Sequence, residues 1–85
     1  MYFLDVYKIN NPYTKEYERL EEFKTKNLII LFEHLGIVRE KYDRDFANSN
    51  DCIIILTSKG AESRVKTLDI AMEHLAYKPD KLEIN

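Results

Sequence analysis

Residues 51–75 read DCIIILTSKGAESRVKTLDIAMEHL, and they decide the fold because a short apolar strand passes directly into an amphipathic helix. Cys52–Leu56 are apolar at every position, as expected of a strand that is covered on both faces or central in its sheet. Thr57 or Ser58 is predicted to cap the helix, and Pro79 is predicted to end it. The apolar positions of this helix recur every three or four residues: Ala61, Val65, Leu68, Met72 and Leu75.

The N-terminal part is predicted to begin with a strand and to continue as a helix. Tyr2–Ile9 mixes aromatic and β-branched residues, a composition typical of strands. Asn11 is a suitable cap and Pro12 a suitable first residue for a helix that Gly36 would end. The spacing that predicts this helix comes from Tyr13, Tyr17, Leu20, Leu28, Leu31 and Leu35.

The run Leu28–Phe32 has a second interpretation, since residues that are apolar on every side also suit a buried strand. Helix is the favoured interpretation. A helix that is apolar all round needs the sheet on one side and a second helix or a partner on the other. Ile29 and Phe32 are therefore candidate interface residues, with plain core positions as the alternative.

The middle of the chain is predicted to form a hairpin. Ile37–Phe46 alternates apolar and charged residues imperfectly, residues 47–51 are rich in turn formers, and Cys52–Leu56 is the returning strand. Leu82 and Ile84 suffice for a short last strand. The resulting order predicts an α+β fold, a βαββαβ ferredoxin-like sandwich with two helices on one face of an antiparallel sheet.

A second fold is suggested by a local resemblance. Leu35–Val38, a charged turn and then Ile55–Gly60 resemble the wing hairpin and its exit in winged-helix DNA-binding proteins. The resemblance implies a winged-helix-like alternative fold and a small transcriptional regulator that binds nucleic acid. It carries no functional residue over to this chain.

Length and composition predict one folded domain over residues 1–85, with a formal net charge of -2 and 45% hydrophobic residues. Without an excess of positive charge, nucleic-acid binding would need a local basic patch. The single cysteine, Cys52, is expected to be a buried structural thiol in a reducing compartment. Neither a secretory signal nor a membrane span is expected, and the predicted location is the cytoplasm.

No catalytic, cofactor-binding or metal-ligating set is predicted. His34 and His74 have no neighbour in the sequence with which to form a metal pair. Asp43, Asp45 and Asp51 lack the ligand order of a calcium loop. Two glycines, far apart, exclude a glycine-rich phosphate loop.

By elimination, the sequence predicts a small non-enzymatic protein, an interaction, accessory or inhibitory factor of the kind that phages or plasmids encode. It would form a homodimer or dock on a larger protein, through an edge strand that is either Tyr2–Ile9 or Lys81–Ile84. The expected interface side chains are Tyr7, Tyr17, Ile29 and Phe32. The alternative regulator would contact phosphates through Arg39, Lys41, Arg44 and Lys59 around the hairpin.

Overall fold

A computed structural model describes residues 1–46 and 52–83, together with the side chains of residues 1–43 and 52–76. These residues form a three-stranded antiparallel sheet and two helices, which confirms the α+β class. In chain order the elements are β1 (Tyr2–Asn11), β2 (Glu16–Thr25), α1 (Leu28–Phe46), β3 (Cys52–Lys59) and α2 (Ala61–Glu83). The strand order is β2-β1-β3, so β1 is central.

The observed order ββαβα differs from the ferredoxin-like prediction in the first half of the chain. Residues 12–25, expected to be helical, form a turn and β2, whereas Ile37–Phe46, expected to be a strand, lies in α1. The predicted hairpin between residues 37 and 56 is therefore wrong. The winged-helix-like alternative, which depended on that hairpin, is wrong as well. The strands predicted at Tyr2–Ile9 and Cys52–Leu56 are confirmed.

The β1–β2 hairpin replaces the predicted first helix because Asn11 caps a turn. Its Oδ1 accepts hydrogen bonds from the backbone N–H of Tyr13 at 3.0 Å and of Thr14 at 3.4 Å. Lys15 then takes a positive φ of 57°, which reverses the chain into β2. A bulge at Leu20 adds one residue to β2, and this extra residue gives the apolar positions of a strand the spacing of a helix.

Helix α1 begins after Asn27, whose Oδ1 accepts from the N–H of Ile29 at 2.9 Å and of Ile30 at 3.3 Å. The run Leu28–Phe32 is thus helical, as favoured, but it starts a helix instead of ending one. The helix continues through Gly36 because buried side chains lie on both sides of it. They are Leu31, Val38 and Tyr42, spaced seven and four residues apart on one face.

Helix α2 follows directly on β3, so the predicted caps Thr57 and Ser58 are strand residues instead. Gly60 makes the junction with a φ of 86°, and its N–H donates to the Met1 carbonyl at 3.0 Å. The helix passes Pro79 and reaches Glu83, at the cost of the one hydrogen bond that proline cannot donate. Of the predicted last strand, Leu82 lies in α2 and Ile84 lies outside the described residues.

The two helices cover opposite faces of the sheet, which corrects the prediction that they share one face. Helix α1 packs on Leu4 and Val6 of β1, with half-buried residues from both β2 and β3 at the margins. Helix α2 packs through Met72 on Tyr7 and Ile9 of β1 and on the half-buried Cys52, Ile54 and Leu56 of β3. Successive side chains of β1 point to opposite faces of the sheet and are buried on both, so each face of β1 must pack against a helix.

Candidate protein-interaction surface

Strand β3 has the composition of a central strand but lies at the edge of the sheet. It pairs with β1 on one side, and no strand among residues 1–46 and 52–83 pairs with its other side. All five side chains of Cys52–Leu56 are apolar and half-buried, and none reaches the burial of Leu4 or Val6 on β1. A regular apolar edge of this kind exposes unpaired backbone N–H and C=O groups beside apolar side chains.

The opposite edge, β2, is built differently. Its register with β1 is interrupted by the bulge at Leu20, whereas β3 pairs with β1 without a shift from Tyr2 opposite Lys59 to Ile9 opposite Cys52. Bulges and charged side chains are the usual means by which proteins prevent edge-to-edge pairing. Charged residues occupy most of β2: Glu16, Glu18, Arg19, Glu21, Glu22 and Lys24. Only the edge formed by β3 therefore lacks such protection among the described strands.

Helix α1 adds two large apolar side chains above β3. His34 stacks on Phe23 of β2 with ring centroids 3.9 Å apart, so this side of α1 faces β2. Two residues further back, Phe32 is rotated by about 200° around the helix and so lies on the β3 side. Phe32 is 59% exposed there, and its neighbour Leu28 is 44% exposed.

Thr67 and Ala71 are small, uncharged residues on the side of α2 turned away from Asp69, the side on which Arg64 also lies, seven residues before Ala71. Asp69 approaches Lys15 of the β1–β2 turn at 3.8 Å, which orients the Asp69 side of the helix toward β2. Thr67 and Ala71, two residues before and after Asp69, are each about 200° away from it and lie toward β3. We call Leu28, Phe32, Cys52–Leu56, Thr67 and Ala71 together the edge surface; none of its members carries a charge.

A buried ion pair fixes α2 in this position. Arg64 donates to Asp5 of β1 through Nε at 2.8 Å and through Nη2 at 2.5 Å, and Asp5 is only 1% exposed. Arg64 also hydrogen bonds to Glu22, and this contact lowers the pKa of the Glu22 carboxyl. The two carboxylates in turn raise the pKa of Arg64, so its charge is permanent. The ion pair connects α2 to β1, the central strand of the sheet. The side chains of β3 on this face remain half-buried.

A groove of about 450 Å³ runs between α2 and β2, on the side away from the edge surface. Its floor includes Tyr7, whose ring meets that of Tyr17 edge-on at 5.3 Å between centroids. The cations along it already have carboxylate partners. These pairs are Lys15 with Asp69, Arg19 with Glu22, and Arg64 with Asp5. The groove therefore presents no unmatched charge to attract an ionic substrate, and the described residues contain no cluster of three metal-ligating side chains.

The predicted interface residues are distributed over both faces of the molecule. Ile29 and Phe32 are 69% and 59% exposed on α1. Tyr17 is 46% exposed on the other face of the sheet, beside the groove. Tyr7 is only 1% exposed and belongs to the core under α2. Phe32 alone of the four is part of the edge surface.

The predicted edge strands are both corrected. Tyr2–Ile9 lies within β1, which has a strand on each side. Residues 81–83 belong to α2, and Ile84 lies outside the described residues. The strand with an open edge is β3, which sequence reasoning placed in the interior because all its side chains are apolar. The same apolar pattern was the signal in the sequence for the edge surface. A strand that is apolar at every position is expected to have a neighbour on both sides.

The basic residues suggested for phosphate contacts do not converge. Lys41 is held by Glu21 at 3.2 Å, at the level of Val6 in β1, whereas Lys59 lies opposite Tyr2. Four residues along a strand separate these levels by about 13 Å. Arg39 is exposed on α1, and the Arg44 side chain lies outside the described ones.

Neither described helix is long and apolar enough to cross a membrane. The open edge of β3 combines unpaired backbone groups with apolar side chains, and exposed apolar side chains also lie elsewhere among the described residues, including Ile29, Ile37 and Ile70. Comparison with known proteins adds no relative from which a function could be inferred: no protein-family model, no curated protein and no solved structure matches this chain.

Proposed function

We propose that this protein is a small non-enzymatic interaction module that binds another polypeptide along the open edge of β3. The single observation that carries the proposal is the half-burial of all five apolar side chains of Cys52–Leu56 at a sheet edge. An added strand would pair with the unpaired backbone groups of β3 and cover these side chains at the same time. Regulation or inhibition of a cytoplasmic protein by docking is the role that such a module serves best.

The flanking helices support this assignment because they extend the apolar strip beyond the strand itself. By helix rotation, Phe32 and Leu28 lie on the β3 side of α1, and Ala71 lies on the β3 side of α2. Aromatic and aliphatic side chains around a backbone-pairing edge are the usual composition of an interface centre, with charges kept to its rim. Arg39 follows Phe32 by seven residues and therefore lies on the same side of α1, so a charge borders the apolar strip on that helix.

Position-specific photo-crosslinking in cells tests the proposal. A photoreactive amino acid is placed at Thr57, an exposed residue at the end of the apolar run of β3, and in a matched control at Val65 beside the groove. We expect a discrete protein adduct from position 57 and none from position 65. Adducts of equal yield from both positions, or none from either, would contradict an interaction surface at β3.

A further inference from the structure

We infer that the polypeptide bound by the edge surface is a second copy of this chain, with the two β3 strands antiparallel and a continuous six-stranded sheet. This inference rests on the proposed interaction role of β3 and names its partner. Antiparallel pairing of a strand with its own copy places a two-fold axis perpendicular to the sheet. Each helix then lies on the same face of the sheet as its counterpart.

The apolar run of β3 defines the register of this pairing. If Ile54 lies opposite Ile54 of the second copy, Cys52 lies opposite Leu56, and the apolar segments match end to end. A shift of two residues in one direction pairs Cys52 and Ile53 with Ser58 and Thr57, and the opposite shift leaves Ile55 and Leu56 without an apolar partner.

The small residues on α2 match the distance between the two α2 helices. The core under α2 contains residues of β1 and β3 and none of β2. The axis of helix α2 therefore lies above the space between β1 and β3. Adjacent strands are about 4.8 Å apart, which puts the two α2 axes about 10 Å apart across the two-fold axis. Helices pack at about 8 to 10 Å when small side chains lie between them. Thr67 and Ala71 occupy that position.

The large residues on α1 match a wider gap. The core under α1 includes Leu4 and Val6 of β1 and draws on both outer strands, so α1 is centred on β1. Two such helices stand about three strand spacings apart, or about 14 Å, which is too far for direct backbone packing. Phe32 and Leu28 project into that space and are long enough to close it from both sides. One dimer thus accounts for small residues on one helix and large ones on the other.

Disulfide trapping tests the pairing and its register. In the double variant Cys52→Ser/Ile54→Cys, the two new thiols lie on directly opposite residues, whose Cα atoms are about 5 Å apart in an antiparallel pair, within the range that a disulfide spans. We expect this variant to form a covalent dimer under a mild glutathione redox buffer. The unmodified chain should not, because Cys52 lies opposite Leu56 and its own copy is about 13 Å away along the strand.

Light scattering coupled to size exclusion tests the same dimer without a new cysteine. The unmodified chain of 10.1 kDa should elute at twice that mass. Thr67→Arg places a bulky charge between the two α2 helices and should shift the population to monomer, whereas Val65→Arg, on the groove side of the same helix, should leave the dimer intact. Circular dichroism and the thermal midpoint establish that both variants are folded.

The outcomes separate this inference from the proposed function. A monomer at all concentrations with no disulfide at position 54 overturns the self-pairing, while an adduct of another protein at Thr57 in cells would still support the interaction role. A dimer that tolerates Thr67→Arg and lacks the disulfide also overturns the inference, because its interface must lie elsewhere. A monomer without any adduct at position 57 overturns both.

Discussion

Arg64 of α2 and Asp5 of β1 form a two-point hydrogen-bonded ion pair whose side chains are 17% and 2% exposed. The guanidinium donates two hydrogen bonds to this buried carboxylate, which Arg19 approaches only to 3.8 Å. Because 58 residues separate the two in sequence, the pair joins the first strand to the last described helix.

The variant Arg64→Ala is expected to destabilise the protein by about 3 kcal/mol, since loss of one partner leaves a buried charge uncompensated. Arg19→Ala is the matched control. Arg19 is 45% exposed and lies 3.8 Å from the same carboxylate, so its removal should cost less than about 1 kcal/mol. Urea unfolding at a fixed protein concentration gives both values. Equal losses for the two variants would show that Asp5 does not depend on Arg64.

Stability should fall in acid because two glutamates of β2 have lowered pKa values in the folded state. A hydrogen bond from Tyr42 is the main cause at Glu21, with Lys41 adding to it, and one from Arg64 is the main cause at Glu22. A carboxyl whose pKa is lower when folded contributes stability above its unfolded pKa, near 4.5, and loses it as the pH falls through the folded value.

The unfolding free energy is therefore expected to decline as the pH is lowered from about 5 to 3. In Glu21→Gln and Glu22→Gln this decline should be shallower, whereas in Glu18→Gln, an exposed residue of the same strand, it should keep its slope. Urea titrations at several pH values measure the slopes. Parallel curves for all three variants would rule out these two carboxyls as its source.

Truncation of two adjacent residues in α1 should change the stability by different amounts. Val38 is 1% exposed and Ile37 is 63% exposed. Val38→Ala is expected to cost about 2 kcal/mol by leaving a cavity, and Ile37→Ala should change stability by less than about 0.5 kcal/mol. Thermal unfolding measures both. A larger loss of stability for Ile37→Ala than for Val38→Ala would mean that α1 does not turn Val38 toward the core and Ile37 toward solvent.

The two glycines should also respond with opposite signs. Gly60 has a φ of 86°, a conformation in which a side chain is strained, so Gly60→Ala should destabilise by about 1 kcal/mol. Gly36 lies within α1, where an added Cβ would meet open space, so Gly36→Ala should stabilise by about 1 kcal/mol through helix propensity. Chemical denaturation measures the unfolding free energy of both variants. If both substitutions stabilise or both destabilise the protein, the backbone conformation described for Gly36 or for Gly60 is wrong.

The sequence predicted well the elements that have an unbroken local pattern. Strand β3 and the stripe of α2 are examples, since Leu68, Met72 and Leu75 pack as their spacing predicts. Val65, on the same stripe, is 63% exposed because α2 lies away from β2 and leaves the groove open. Periodicity gives the face of a helix, but not how much of the sheet lies beneath it.

The errors have local physical causes. The bulge at Leu20 gave β2 the spacing of a helix, and the cap of Asn11 closes a turn as readily as it begins a helix. The imperfect alternation over Ile37–Phe46 hid a helix whose core contacts are Val38 and Tyr42. The edge surface escaped sequence reasoning because strand order depends on contacts between distant segments.

The buried Asp5 also depends on a partner that is synthesised 58 residues later. During synthesis β1 and β2 emerge first and α1 follows, so one face of the hairpin gains its cover while the other stays bare. Until residue 64 has been added, Asp5 carries a charge with no guanidinium from α2 to meet it. Water must solvate Asp5 on that face until α2 packs there, and the packing of α2 buries Asp5 and supplies the Arg64 guanidinium together.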